Sequence, residues 1–445
     1  MLKFSLSPAD LRVGSHRVHY AWVIVGVASV MWMVSSSIRF SATVLIPHLQ
    51  DPAGFGWSYG TIAFAFSLQW FLSGLLGPAM GWLGDRHGVR RIMLFGALLF
   101  IAGMLLTGTM THLWQFYLYF GILLGGAMSV FQVPLVSGVT VWFRKHLGLA
   151  MGTLQALQAS GTVLLIPLIA FLFAQFGLKW TFWFPGIIGG VLLLLLIRAF
   201  YNEPAEIGLR PVGAPSDEPI ERLRQDDAAK VRASVFLRQA QGTHAFWNLI
   251  GIHFWGCMGH NIFVVFLVAM AIDRGLSWDA AIGSYITLNV LSMVSRFLAP
   301  VIADRSGAKA VMAVCFTLQV LPPLILLLSQ DPWAFYLFAG LFGIGLGGEV
   351  PAFPIINRQY FGYAPIGTVY GWQMLGNGLG MGLGPLVGGI LWDITGQFAS
   401  PVILSSALSL VGLVSVLLLP TTSRPLIPNW EESLPPEARS TASPQ

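Results

Sequence analysis

Long apolar runs broken by short polar turns follow one another along nearly the whole chain. A helix needs about 20 apolar residues to cross a bilayer, and twelve runs reach or approach that length. They cover residues 20–49, 59–83, 92–111, 113–143, 148–176, 181–200, 246–272, 280–302, 311–329, 333–356, 367–392 and 401–419, here spans 1 to 12. The expected fold is an all-α membrane protein with twelve transmembrane helices in two pseudo-symmetric six-helix bundles. Span 1 is too long for a signal peptide and lacks a small-residue cleavage site, so it reads as a retained helix. The organisation expected is a cytoplasmic N-terminus over 1–19, a first bundle over 20–200, a polar linker over 201–243, a second bundle over 244–420 and a disordered cytoplasmic tail over 421–445.

Composition removes the competing classes. Only 10% of the 445 residues are Asp, Glu, Lys or Arg, where a soluble domain carries about a quarter. With 55% apolar residues and a mean hydropathy of +0.72, most apolar side chains must face lipid. The net charge of +5 is a topology signal and not a nucleic-acid footprint, because the basic residues sit between the apolar runs. Of 24 Lys and Arg, 20 fall on segments placed in the cytoplasm, from Lys3 through Arg224 to Arg439. Lys179 and Arg274 fall outside, and Arg39 and Arg296 lie within spans. The protein is therefore expected in the cell membrane with both termini inside. Cys257 and Cys315 show neither disulfide nor metal-site spacing, so no metal or other cofactor is expected.

The chain also repeats itself. A shift of 219 residues lays Asp85-Arg86-His87-Gly88-Val89-Arg90 on Asp304-Arg305-Ser306-Gly307-Ala308-Lys309, Gly148, Gly152 and Gly161 on Gly367, Gly371 and Gly380, and Ser58 on Ser277. Six spans per half give a parallel repeat about an axis along the membrane normal, with a substrate site expected between the halves.

The stretch Gly81-Trp82-Leu83-Gly84-Asp85-Arg86-His87-Gly88-Val89-Arg90-Arg91 resembles the loop 2-3 signature of the major facilitator superfamily, and the copy at 304–309 resembles its loop 8-9 partner. The resemblance implies alternating access by a functional monomer. It also implies that Asp85, Arg86, Arg90, Asp304 and Arg305 act in gating, through charge-dipole contacts between helices of one half. The Trp57-Ser58 opening of span 2 and Arg296 within span 8 are similar to the organic-anion branch that holds monocarboxylate transporters and oxalate:formate exchangers. Two positions depart from that branch: Ser292 stands where an Asp is usual, and 370–384 holds no Lys.

Three strong charges lie inside spans, where each costs at least ~2.5 kcal/mol. Arg296 sits about 24 Å along its helix from Ala280 at 1.5 Å per residue and is the first candidate for a substrate anion, or else a structural Arg paired with Glu349. Arg39, about 27 Å from Ala21 by the same rise, either faces a polar cavity beside Ser35-Ser36-Ser37 or snorkels to the surface. Glu349 is either a proton carrier or a structural partner of an Arg, and His260 is its rival for the proton. Tyr119, Gln158, Asn289 and Asn377 complete the candidate substrate lining.

Two motifs are declined. Gly343 through Gly348 spells G-x-G-x-x-G inside an apolar helix with no strand before it, and Gly376, Gly380, Gly384 and Gly388 form a packing stripe. No metalloprotease motif, nucleophile elbow or P-loop is present, so an enzyme or a nucleotide-driven pump is not expected. The reading is a secondary transporter of a small organic anion, a monocarboxylate, coupled to protons; the alternative is an exporter of amphipathic drugs.

Overall fold

The computed structural model describes residues 12–13, 16–36, 39, 46, 48–52, 54–222, 227–329 and 331–439. Lys3, Ser37, Arg224 and residues 440–445 of the tail lie outside the described residues, as does much of the second half of span 1. A short antiparallel pair, β1 (Arg12–Val13) and β2 (His16–Arg17), precedes the first span. The helices of the first bundle are α1 (Tyr20–Ser36), α2 (Tyr59–Leu75), α3 (Gly77–His87), α4 (Val89–Thr107), α5 (Leu113–Thr140) and α6 (Leu147–Ala199). The linker forms α7 (Asp227–Gln241). The second bundle holds α8 (His244–Asp273), α9 (Trp278–Ser306), α10 (Ala308–Val320), α11 (Pro322–Leu328), α12 (Pro332–Phe361), α13 (Gly367–Thr395) and α14 (Ala399–Leu417).

Twelve spans follow from these helices. Nine described stretches are long and apolar enough to cross a membrane, and α2 with α3 make a tenth across a 42° bend. The described part of α1 and the first limb of α6 supply the others. Two helices meet within α6 at a kink, because Gly177 takes φ 73°, ψ −178°, a conformation open to glycine. The second half of α5 opens after a π-helical stretch, Phe116–Leu123.

The sequence repeat is a structural repeat. Ser58 accepts from the Thr61 N–H at 3.4 Å, and Ser277 accepts from the Ala280 N–H at 3.3 Å, so both are N-caps. Gly88 and Gly307 both end a helix with φ near 85°, at 82° and 89°.

The halves meet along α3–α13 and α6–α9. Backbone lies on backbone there: a Cβ on Gly81 would stand 2.2 Å from the Gly367 carbonyl oxygen, and one on Gly148 would stand 2.0 Å from that of Pro300. Both contacts are at the end of the molecule that carries the linker and the C-terminal segment, called below the linker face.

The tail is not disordered as the composition suggested, at least through Arg439. Leu426 N–H donates to the Tyr360 carbonyl at 2.8 Å, Tyr360 Oη donates to the Pro420 carbonyl at 2.6 Å, and Trp430 is only 6% exposed. The few apolar residues among many Pro, Ser and Glu find a ready surface on α7, which average composition does not register. The linker likewise adheres to the first bundle, where Val212 pairs with Phe143 and Glu218 forms an ion pair with Arg144.

Candidate functional site

Polar side chains inside a bilayer must find partners within the protein, so following those partners locates the site. In the second bundle several of them cluster around Cys257, His260 and Glu349. Asn377 on α13 donates to Cys257 Sγ at 3.0 Å and meets His253 Nε2 at 3.3 Å. His260, one turn beyond Cys257 on α8, places Nδ1 3.5 Å from Glu349 Oε2 on α12. Gln319 on α10 donates to the same carboxylate at 2.9 Å. Glu349 is fully buried and its Oε1 has no hydrogen-bond partner among the described residues. Arg296 on α9 has Glu349 and Cys257 as its electrostatic neighbours.

Arg296 itself is only partly buried, and no hydrogen bond or ion pair within 4 Å holds its guanidinium among the described residues. Its five N–H donors therefore have no acceptor among the described residues. The alternatives for Glu349 are narrowed as well. It is not ion-paired with either Arg; the histidine expected as its rival is its neighbour.

In the first bundle Arg39 is 7% exposed, which overturns snorkelling. Its Nε donates to Gln69 Oε1 at 3.2 Å, and its guanidinium lies 3.9 Å over the Trp70 ring. Gln69 is held in turn by the Phe120 carbonyl at 3.1 Å, in the π-helical stretch of α5. No described carboxylate pairs with Arg39.

The remaining candidate lining residues are scattered. Gln158 donates to Ser36 Oγ at 3.0 Å, tying α6 to α1. Asn289 is exposed and bonds the Tyr285 carbonyl of its own helix at 2.9 Å. Tyr119 packs its ring 6.2 Å from that of Trp114, an exposed residue at the start of α5. No hydrogen bond joins any of these three to Arg39 or Arg296.

At the linker face the gating expectation is corrected: it placed the Asp85 and Asp304 contacts within one half, and both carboxylates accept hydrogen bonds from the opposite half. Asp85 Oδ1 accepts from the Gly367 N–H at 3.1 Å, and Oδ2 accepts from the Thr368 N–H at 2.7 Å and its hydroxyl at 2.9 Å. Its repeat mate Asp304 accepts from the Gly148 N–H at 2.5 Å. Each carboxylate therefore caps a helix of the opposite bundle, where unsatisfied N–H groups and the positive end of the macrodipole favour an anion. Arg358 of α12 reciprocates at a helix C-terminus, donating to the Thr140 and Phe143 carbonyls at 2.5 and 3.0 Å. Arg86, Arg90 and Arg305 do not bridge the halves. The Arg86 guanidinium lies 4.5 Å over Trp82 of its own helix, the Arg90 N–H bonds Asn202 of the linker at 2.9 Å, and Arg305 is exposed.

Gln69, Gln319, Thr368 and Arg358 are the partners that the sequence reading passed over. The two glutamines carried a signal, since an amide in an apolar span demands a partner. Cys257, His260 and Glu349 also offer three donor atoms within 4.8 Å of one another, a set that suits a zinc-class ion. The Arg296 guanidinium beside them already supplies positive charge and would repel such an ion.

Comparison with known proteins places this arrangement. The family model of the Major Facilitator Superfamily matches residues 21–305 and 287–442. The MFS transporter asaE of Aspergillus flavus is 25% identical over 89% of this chain and 86% of its own. Monocarboxylate transporter 11 of Mus musculus is 25% identical over 88% and 86%. The aspyridones efflux protein apdF of Emericella nidulans is 26% identical over 80% and 68%. Among solved structures, the proton:xylose symporter XylE bound to 6-bromo-6-deoxy-D-glucose superposes with a TM-score of 0.72, covering 92% of this chain and 98% of that one at 13% identity. The chain is a multi-pass membrane protein that belongs to the Major Facilitator Superfamily of transporters.

Proposed function

We propose that this transporter moves a small organic anion, a monocarboxylate, together with protons, by alternating access. The observation that carries the reading is Arg296: a guanidinium within a span, with a carboxylate nearby and no protein acceptor on its own N–H groups among the described residues. A carboxylate would take two of those donors in a fork that stays charged when water is excluded. The likeness to monocarboxylate transporter 11 supports the same class. Arg39, oriented by Gln69 and Trp70, adds a second positive centre from the first bundle.

The His260–Glu349 pair is the proton site in this reading. Occupation of Arg296 by a substrate anion withdraws positive charge from Glu349, and a proton on the pair restores it. Anion and proton then travel together. Asp85 and Asp304 close the linker face, which the basic residues put in the cytoplasm, and release it as the halves rock. Arg86, Arg90 and Arg305 border these loops without crossing the interface.

Likeness to the aspyridones efflux protein favours a second reading, export of an amphipathic solute. A thermal-shift panel on the purified protein separates the two, since a ligand that binds the native state raises its melting temperature. Short monocarboxylates should stabilise the wild type and fail to stabilise Arg296→Ala. Stabilisation by neutral amphipathic solutes alone would overturn the anion reading.

A further inference from the structure

The C-terminal segment is attached more firmly than a trailing end needs to be. Its Trp430 packs 5.2 Å from the Phe236 ring on α7, and Phe236 in turn lies 5.7 Å from Phe361 at the end of α12. Arg232, 5% exposed, forms an ion pair with Glu431, donates to the Ala438 carbonyl at 2.8 Å and lies 4.9 Å over the Trp430 ring. Gln239 bonds the Trp430 carbonyl at 3.3 Å and Ser433 Oγ at 2.9 Å.

What the segment holds in place is α7. The buried residues of α7 are Ala229, Arg232, Ala233, Phe236 and Ala240, one stripe at helical spacing. A 15-residue helix is marginal without cover on such a stripe. With the segment docked, α7 packs on α3 of the first bundle and on α8 and α13 of the second. Ala229 and Arg232 then face a cavity of about 120 Å³ that also takes Asp85 and Arg144 from one half and Arg358 and Tyr363 from the other. The linker helix thus sits beneath the closed gate and touches both of the parts that must separate.

We propose that residues 421–439, docked on α7, are a latch that holds the linker face closed and must loosen before it opens. The inference rests on the alternating-access reading and is independent of the substrate assignment. A segment that binds only one of two conformations shifts the equilibrium by its binding free energy. The Arg232–Glu431 pair makes the dependence sharp, because removing Glu431 leaves the Arg232 charge buried without its carboxylate.

The test uses the full chain with Val141→Cys, a position on the cavity wall, and measures its rate of alkylation by a hydrophilic maleimide. Cys257 and Cys315 are buried in the closed state, and each variant without Val141→Cys gives the background to subtract. Deletion of 421–445, Arg232→Glu and Glu431→Arg should each speed labelling by about tenfold, which is about 1.4 kcal/mol of equilibrium shift. The milder Glu431→Gln should act in the same direction and serves if a charge reversal fails to fold. Arg232→Glu combined with Glu431→Arg should return the rate to near the wild-type value. Asp85→Asn is the reference that opens the gate directly. Fast labelling in Asp85→Asn with wild-type labelling in the deletion and Glu431→Gln overturns the latch and leaves the gate standing. A charge-swapped protein that labels as fast as the single variants also overturns it. Unchanged labelling in Asp85→Asn as well would remove the gate reading, and the latch with it.

Discussion

Asp85→Asn probes the closed linker face with little change of shape. The carboxylate is 3% exposed and accepts three hydrogen bonds from the opposite half, two of them on Oδ2. Asparagine keeps one acceptor oxygen and turns the other position into a donor, so at least one N–H at the start of α13 loses its partner. The charge facing the helix terminus goes too. Hydrogen bonds to a charged group contribute about 1.5–3 kcal/mol net, and a helix cap contributes about 0.5–2 kcal/mol. Taking ~2 kcal/mol for the loss, the ratio of closed to open at the linker face falls by about 30-fold. The measurement is alkylation of Val141→Cys in the presence and absence of Asp85→Asn, beside steady-state turnover. Labelling should accelerate and turnover should slow, while substrate still binds, because Asp85 makes no contact with Arg296. Unchanged labelling together with lost binding would show that Asp85 belongs to the substrate site, and the gating argument would fail.

Gly148→Ala should disturb the same interface sterically, since its Cβ would meet the Pro300 carbonyl at 2.0 Å; overpacking of this kind costs about 1–3 kcal/mol, and faster labelling of Val141→Cys with slower transport is the expected result. Arg39→Ala should weaken substrate binding while Arg39→Lys retains part of it, and full binding by the alanine variant would restrict Arg39 to a structural role with Gln69. Glu349→Gln should abolish proton-driven accumulation while substrate exchange persists, because the amide mimics the protonated carboxyl and leaves no charge to discharge. If His260→Ala uncouples transport and Glu349→Gln does not, the proton travels on the histidine. Loss of all transport modes together with a lowered melting temperature in Glu349→Gln would make the glutamate structural.

Much of the architecture is written in local pattern. Apolar length gives the spans, and the 219-residue repeat pairs Ser58 with Ser277, which the structure makes N-caps, and Asp85 with Asp304, which it places in the last turns of two helices. The repeat does not say which helix each aspartate reaches. Asp85 stands in the last turn of its own helix, where a negative charge is unfavourable, and that misplacement is the local hint that its partner lies elsewhere. Arg39 gives the opposite lesson. Depth along a helix leaves cavity and snorkelling open, and only the position of Gln69 on a different helix decides between them. Glu349 and His260 read as rivals because nothing in 89 residues of separation indicates that α8 and α12 bring them within 3.5 Å. The tail fails for another reason, since Trp430 and Glu431 are two residues in a polar segment whose composition is that of disorder.

The central claim is that Arg296 binds the transported carboxylate, and uptake of a radiolabelled short monocarboxylate into proteoliposomes tests it most directly. With an imposed pH gradient, the wild type should accumulate the acid above its equilibrium level. Arg296→Ala and Arg296→Lys should both fall to the level of empty liposomes while incorporating normally, because lysine restores the charge without the bidentate fork. Uptake at the wild-type rate by the alanine variant would contradict the account.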